Sequence, residues 1–251
     1  MASRTTEQHI SLPLLRMSWE TLSFVHWKAD PGRVQALLPD GLTVDTYDGA
    51  AWVGLTPFVL AKIRPPGVPP HWPYSRWPAL ARITSTPETN LRTYVRDADG
   101  RDGLWFLSLD IGSAALATAM RAAVGARYRP GDLSVAHDGS VVTYAGHRSR
   151  DPASYRLSVR LGASIAPSEL EVWLTSRWRA YTVHAGRLLV TPVEHEPWPL
   201  REAVIETIEQ NLTARIGLCD LGEPDLVHYS DGVQDVRIQR PRVLARHHTV
   251  P

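Results

Sequence analysis

Ten short runs rich in valine, threonine, tryptophan and tyrosine dominate this sequence of 251 residues. β-Branched and aromatic residues favour extended backbone, and turn residues close most of the runs. Glycine follows Asp48, Asp99, Asp138 and Asp231, a pair typical of hairpin turns. The predicted strands are Ser18–Trp27, Leu42–Tyr47, Ala51–Ile63, Arg82–Arg96, Leu104–Ile111, Ser140–His147, Tyr155–Leu161, Glu169–Tyr181, Arg187–Val193 and Val233–Ile238.

Three segments have helical patterns. Pro31–Leu38 follows Asp30, which can cap its first turn, and has proline at the first helical position. Ser113 can cap the alanine-rich Ala114–Val124 segment, which ends at a glycine. Leu200–Leu212 has apolar residues at helical spacing, so we predict an amphipathic helix there.

The helices do not alternate regularly with the strands, which argues against Rossmann and TIM-barrel arrangements. We expect a β-rich α+β fold, in which a β-barrel or strongly bent sheet is flanked by about three helices. A single domain is predicted over residues 16–239, after an N-terminal extension at 1–15 and before a loose basic tail at 240–251. The proline-rich Arg64–Pro78 segment is predicted to be a long loop, either a binding loop or a connector covering the sheet.

Composition restricts the possible partners and the compartment. The net charge of +1 does not favour binding to nucleic acid or to an anionic membrane surface. Cys219 is the only cysteine, so no intrachain disulfide can form. Neither an apolar signal segment in Met1–Ser11 nor a membrane-length apolar run occurs, so a cytoplasmic protein is expected.

The most informative segment for function is the predicted strand at Thr86–Val95. Side chains alternate along a strand, so Glu88, Asn90, Arg92 and Tyr94 share one face. A row of hydrogen-bonding groups of this kind indicates either a wet surface with structural hydrogen bonds or a polar-lined cavity. The sequence alone leaves both interpretations open.

If this face is buried, Arg92 needs a partner, because an unpaired buried charge is costly. Glu88 is about 13 Å away along the strand, too far for a direct ion pair. The partner is then a carboxylate on a neighbouring strand or the acid group of a ligand, which a guanidinium can hold through two hydrogen bonds. The candidate carboxylates are those of Asp110, Glu169 and Glu171.

Two other predicted strands offer polar faces that can meet this row. Phe106, Ser108 and Asp110 share one face of Leu104–Ile111. A similar mixed face on the predicted strand Glu169–Tyr181 comprises Glu169, Glu171, Trp173, Thr175 and Arg177.

The familiar catalytic and cofactor motifs are not found. The sequence has no glycine-rich dinucleotide or phosphate-binding loop, no G-x-S-x-G and no H-E-x-x-H. Glu194, His195 and Glu196 are adjacent, but alternation along a strand places His195 opposite the two glutamates. We therefore expect no metal site and no cofactor.

Several ordered motifs resemble the YqjF-like family of uncharacterised proteins. The resemblance covers about Trp19 to Ile238 and includes Ala51–Gly54, Glu88–Val95, Gly103–Asp110, Leu174–Trp178, His195–Leu200 and His228–Ser230. That family is similar in fold to acetoacetate decarboxylase. The resemblance therefore implies a barrel-like domain with a central cavity and a few flanking helices.

The same resemblance argues against one mechanism. Acetoacetate decarboxylase forms a Schiff base through a lysine that follows a proline, just after a helix corresponding to the one ending near Gly125. The matching segment here, Tyr128–Asp132, has no lysine, and Lys28 and Lys62 are the only lysines in the chain.

Two functional hypotheses remain. In the first, the protein is a lyase-type or hydro-lyase-type enzyme acting on a small anionic or carbonyl compound, with Glu88 as general acid or base and Arg92 holding the anionic group. In the second, the same pocket belongs to a non-catalytic binding or sensor protein. The proposed ligand-binding residues in both are Asn90, Tyr94, Ser108, Asp110 and Arg177. Association into a homo-oligomer through exposed strand edges is compatible with either hypothesis.

Overall fold

The computed structural model describes residues 3–6, 8–64, 67–68, 85–148 and 151–244. These residues form fourteen strands, three α-helices and a short 3-10 turn at Ala214–Ile216. The strands are β1 Leu15–Ala29, β2 Leu42–Val44, β3 Ala51–Arg64, β4 Thr86–Asp97, β5 Asp102–Ile111, β6 Tyr128–Pro130, β7 Asp132–Asp138, β8 Val141–Arg148, β9 Asp151–Ser164, β10 Arg179–His184, β11 Arg187–Glu194, β12 Leu200–Gln210, β13 Leu226–Ile238 and β14 Arg242–Val243. The helices are α1 Pro31–Gln35, α2 Ala114–Val124 and α3 Glu169–Thr175.

One strongly bent sheet contains all the strands. The order along it is β14-β11-β10-β5-β4-β3-β1-β13-β12-β9-β8-β7, with β2 paired to β4 and β6 paired to β5. The end of β13 also pairs with β11, through Val193–Ile238 and Glu194–Arg237. This contact closes β11, β10, β5, β4, β3, β1 and β13 into a ring, a bent sheet rather than a regular barrel.

The ring separates two apolar cores. Inside it, Phe58, Ile111 and Val236 pack with Met120 and other residues of α2. Outside it, β8 and β9 turn their buried side chains towards the outer face of β1, β3 and β4. β4 therefore lies between two cores, and nearly all of its residues are buried on both faces.

Two helix starts agree with the sequence. The side chain of Asp30 accepts a hydrogen bond from the Arg33 backbone N–H at 2.8 Å, although α1 is shorter than predicted. α2 has the predicted bounds, with Ser113 at its N-cap and Gly125 in the left-handed conformation after its last turn.

The predicted helix at Leu200–Leu212 is wrong, since Leu200–Gln210 is strand β12. Its apolar residues fit both the helical and the strand period. Four β-branched residues, at 204, 205, 207 and 208, favour the strand. Pairing with β9 along most of its length and with the start of β13 decides the conformation.

The single strand predicted at Glu169–Tyr181 is also wrong. Its first half is helix α3, and β10 starts only at Arg179. A capping box begins α3: Ser168 accepts from the Glu171 N–H, and the Glu171 carboxylate accepts from the Ser168 N–H. This S-x-x-E pattern is the signal in the sequence that predicts the helix.

Other predictions also need correction or lie outside the described residues. Asp231 and Gly232 do not form a hairpin turn but lie within β13. Most of the predicted Arg64–Pro78 loop, and residues 82–84 of a predicted strand, fall outside the described ranges. Part of the predicted loose tail is the short strand β14, which pairs with Leu189 and Val190.

In the described parts of the chain, none of the helices has the length and apolar character needed to cross a membrane.

Gly232 should be essential to the joining of β13 and β1. It has a φ of 124°, and a Cβ atom there would overlap the Trp19 backbone. We expect Gly232→Ala to lower the free energy of unfolding by about 3 kcal/mol or more, measured by urea titration. Gly139→Ala is the matched control, since its φ is 58° with open space around it, and it should cost only about 1–2 kcal/mol. Equal losses in the two variants would contradict this explanation.

Candidate functional site

A cavity of about 100 Å³ lies inside the ring. Apolar side chains from β1, β3, α2 and β11 form most of its wall, among them Met17, Phe58, Met120 and Val193. Polar groups enter it from β4, β6 and the segment that follows α3. This combination of an apolar wall and a few convergent polar groups is typical of small-molecule sites.

β4 directs its polar row into this interior. Glu88, Asn90 and Arg92 line the cavity, and each is less than a tenth exposed. Tyr94, the fourth member of the row, is fully buried at its end, where its hydroxyl donates to the Leu174 carbonyl at 2.8 Å. The prediction that these four side chains share a face is confirmed, and that face is buried rather than wet.

Arg92 has no carboxylate partner among the described residues. The Arg92 guanidinium lies 5.3 Å from the Phe24 ring centroid and 3.5 Å from the Leu174 carbonyl oxygen. Its Nε–H has no acceptor among the described residues. Gly54 on β3 provides room for it, since a Cβ there would stand 3.6 Å from Arg92 Cγ and 3.0 Å from the His26 ring.

The three carboxylates proposed as partners of Arg92 are engaged elsewhere or directed away from it. Asp110 pairs with Arg148 at 2.6 Å. Glu171 pairs with His228 at 2.7 Å. Glu169 is exposed in the first turn of α3. None of the three therefore pairs with Arg92.

Glu88 is the carboxyl group of the cavity. Burial raises its pKa to about 8, and the nearby Asp110 charge adds to this effect, while a hydrogen bond from Tyr128 opposes it. The Tyr128 hydroxyl donates to Glu88 Oε1 at 3.4 Å, and Oε2 has no partner within the described residues. Glu88 is therefore mostly a neutral carboxylic acid near pH 7 and does not balance the charge of Arg92.

Arg177 is a second guanidinium on the cavity wall, and its charge is balanced. It donates to Asp45 at 2.8 Å and to Asp102 at 2.9 Å, and it stacks over the Trp173 ring at 4.2 Å. Its Nη2 has no acceptor in the described chain. It reaches this place from the turn after α3, not from a strand as predicted.

Ser108 and Asp110 do not face the cavity, contrary to the prediction. Leu91 pairs with Ser108, but Arg92 pairs with Phe106, so a bulge at Leu107 shifts the alternation of β5. Phe106 therefore faces inward, while Ser108 and Asp110 bind the Arg148 guanidinium on β8. Asn90 does line the cavity, and its Oδ1 has no hydrogen-bond partner in the described chain.

Two cavity residues were not proposed from the sequence. Tyr128 lies on β6, in the segment compared above with the lysine segment of the decarboxylase, and its side chain reaches Glu88. His195 follows β11 and also lines the cavity. As alternation predicts, its glutamate neighbours point away: Glu194 pairs with His9, and Glu196 accepts from the Gln234 N–H.

Both lysines lie away from the cavity. Lys28 is 5.6 Å from the Trp52 ring centroid and more than half exposed. Lys62 pairs with Glu20 at 2.9 Å and is also more than half exposed. The residues described contain no cluster of three or more potential metal ligands.

The fold belongs to the acetoacetate decarboxylase-like structural class. Acetoacetate decarboxylase from Legionella pneumophila superposes with a TM-score of 0.64 at 12% identity, over 96% of this chain and 92% of that one. The enduracididine biosynthesis enzyme MppR complexed with pyruvate gives 0.66 at 13% identity, over 95% and 93%. An acetoacetate decarboxylase-like enzyme from Sphingomonas wittichii RW1 gives 0.62 at 19% identity, over 95% and 97%.

The chain belongs to the DUF2071 family, which is described as an uncharacterized conserved protein and whose sequence profile matches residues 16–234. The uncharacterized protein YqjF of Bacillus subtilis (strain 168) is 30% identical over 240 residues, which cover 92% of this chain and 94% of that protein. The resemblance inferred from the sequence motifs is thus confirmed, for both the family and the fold.

The raised pKa of Glu88 should make stability depend on pH. The folded protein keeps a proton on Glu88 up to about pH 8, whereas the unfolded chain releases it near the ordinary glutamate pKa of 4.5. Stability from this group is therefore fully present below that lower value and falls by up to about 1.4 kcal/mol per pH unit between the two. Urea unfolding from pH 5 to 8.5 should show that Glu88→Gln gains stability relative to the wild type as pH rises.

The exposed Glu209 on β12 provides the control for that titration. Glu209→Gln should follow the wild-type curve throughout. A Glu88→Gln curve parallel to the wild type would mean that Glu88 is ionised in the folded state at neutral pH.

Proposed function

We propose that this protein binds a small carboxylic acid bearing a carbonyl group in the cavity, as a lyase-type enzyme that works without a Schiff-base lysine. Arg92 holds the carboxylate of the ligand, and Glu88 donates a hydrogen bond or a proton to its carbonyl oxygen. Asn90 and the Arg177 Nη2 orient the acid, while Tyr94 fixes the neighbouring wall.

The single observation that carries the proposal is the buried, unbalanced charge of Arg92. Its side chain lines the cavity while only 7% of the residue is exposed, with no carboxylate partner in the described chain. A buried cation is costly without an anion, and a guanidinium suits a carboxylate in geometry and charge. An anionic ligand would therefore supply the missing partner.

The neutral Glu88 supports a carbonyl group in the same ligand. A protonated carboxyl group can donate to a carbonyl oxygen, whereas an ionised one can only accept. Asn90 lies between Glu88 and Arg92 on β4, so a bound acid can extend along this row. Phe58, Met120 and Val193 suit a short apolar remainder.

The cavity volume supports a small ligand. About 100 Å³ is available, whereas an engineered apolar cavity of about 150 Å³ holds benzene. The structural neighbour MppR was solved in complex with pyruvate, a compact acid with both required groups. We therefore place the ligand of this protein in the size range of short oxo acids.

The positions of the lysines favour chemistry without an amine nucleophile. Lys28 and Lys62 lie outside the cavity, so neither can form an imine with a ligand in it. The same observation favours the second candidate function, a binding or sensor protein that leaves its ligand unchanged. Turnover of a bound acid would separate the two.

Arg92→Gln should abolish acid binding. In a thermal-shift screen of acetate, lactate, pyruvate, 2-oxobutanoate and acetoacetate, we expect an oxo acid to stabilise the wild type most. A hundredfold excess over the dissociation constant corresponds to about 2.7 kcal/mol. Arg92→Gln should remove this stabilisation, because the carboxylate loses its cation.

Arg160→Gln is the matched control. Arg160 is a half-exposed surface arginine on β9 that pairs with Glu206 outside the cavity. This variant should respond to the acids as the wild type does. Stabilisation of Arg92→Gln by the same acids, or no response of the wild type to any of them, would refute the proposed site.

A further inference from the structure

We infer that His195 is a further catalytic residue of this cavity, the base that removes a proton from the carbon next to the ligand's carbonyl group. The reaction class is then enolisation of a small oxo acid. This inference rests on the proposed function, since it requires an acid bound between Arg92 and Glu88.

The position of His195 is fixed by aromatic packing. Its ring centroid lies 4.7 Å from that of Trp178, 5.0 Å from Trp198 and 5.4 Å from Trp19. Trp19 and Trp198 also line the cavity, and Trp19 packs against Phe58 at 6.0 Å. Phe58 is the β3 partner of Glu88, so Trp19 contacts both His195 and the residue paired with Glu88.

The hydrogen bonding of His195 determines its tautomer. Nδ1 is 2.5 Å from the Glu196 carbonyl oxygen, which can only accept, so Nδ1 carries the hydrogen. Nε2 then has a lone pair and no hydrogen-bond partner in the described chain. A cavity residue with a fixed ring and an unused acceptor is suited to receive a proton.

The electrostatic surroundings keep this acceptor unprotonated. Burial lowers the pKa of His195 to about 4, and the charge of Arg92 adds to the effect, while the hydrogen bond to Glu196 opposes it. The carboxylate of Glu194, the last residue of β11, points away, towards His9 and the Ile10 N–H. Over the neutral pH range, His195 is therefore an unprotonated base and Glu88 carries a proton.

A base this weak is sufficient when the enolate is strongly stabilised. Ketosteroid isomerase combines a weakly basic carboxylate with a tyrosine and a protonated carboxylic acid that donate to the oxyanion. This cavity holds the same two kinds of group in series: the Tyr128 hydroxyl donates to Glu88 Oε1 at 3.4 Å, and the neutral Glu88 can donate to the oxyanion from Oε2. Burial also raises the pKa of Tyr128 well above its ordinary value, so its hydroxyl stays protonated.

The proton transfer balances without any further reactant. His195 Nε2 takes the proton from the α-carbon, and the electrons of that C–H bond form the C=C bond of the enol. The carbonyl π electrons move to oxygen, which takes the Glu88 proton. The enol then lies between the protonated imidazolium of His195 and the ionised carboxylate of Glu88. In D2O the imidazolium N–H exchanges with solvent, so reversal restores the oxo acid with a deuteron on the α-carbon.

Deuterium exchange tests this step directly. The wild type in D2O should accelerate loss of the α-proton NMR signals of pyruvate or 2-oxobutanoate over buffer alone. His195→Asn keeps a donor near Nδ1 and removes the acceptor at Nε2, so exchange should fall at least about 100-fold. Binding of the same acid, measured by thermal shift, should change less than threefold.

Two further variants complete the design. His195→Gln places an amide near the Nε2 position and should also be inactive, which guards against a folding defect peculiar to the asparagine. Arg160→Gln should exchange at the wild-type rate. Tyr128→Phe should slow exchange while the acid still binds, because it removes the hydroxyl that donates to Glu88, the group that protonates the enolate.

The outcomes separate this inference from the proposed function. No binding of any acid refutes both. Binding without wild-type exchange refutes the inference alone and leaves a binding protein. Wild-type exchange retained in both folded His195 variants removes His195 from the chemistry, whereas loss of exchange with binding retained supports it.

Discussion

The burial of Arg92 is the constraint on which the site depends. Only 7% of the residue is exposed, and the described residues give its side chain the Leu174 carbonyl oxygen, the Phe24 ring and the Tyr94 hydroxyl but no carboxylate. The cost of that arrangement is the physical basis of our proposal that the cavity binds an anion. Burial lowers the pKa of His26 and of His195, and the charge of Arg92 adds to the effect in both.

The same scaffold holds two kinds of buried polar group. Asp110 and Ser108 satisfy Arg148 outside the ring, and Asp45 and Asp102 satisfy Arg177 on the cavity wall. These pairs are internally balanced and have a structural role. Glu88, Asn90 and Arg92 lack such pairs, and each has an atom without a hydrogen-bond partner in the described chain, as Arg177 has at its Nη2. Buried polar groups without partners are uncommon in folded proteins, so this row on the cavity wall is the distinctive chemical feature of the interior.

The relation to acetoacetate decarboxylase is one of fold. The segment after α2 contributes the hydroxyl of Tyr128, and the two lysines of the chain lie elsewhere. A scaffold that surrounds a small cavity with strands from distant parts of the chain can accept such replacements, because each wall residue belongs to a different element. Membership of the DUF2071 family therefore does not by itself assign a reaction.

Local sequence determined what depends on neighbours along the chain: the Asp30 and Ser113 caps, the bounds of α2, most strands and the shared face of Glu88 to Tyr94. It also carried the family motifs. Tertiary structure decided the rest. β12 is extended because β9 and β13 pair with it, and the bulge in β5 turned Ser108 and Asp110 outward. The meeting of Tyr128 and His195 with the β4 row requires the ring to close, a contact between distant segments that local periodicity cannot encode.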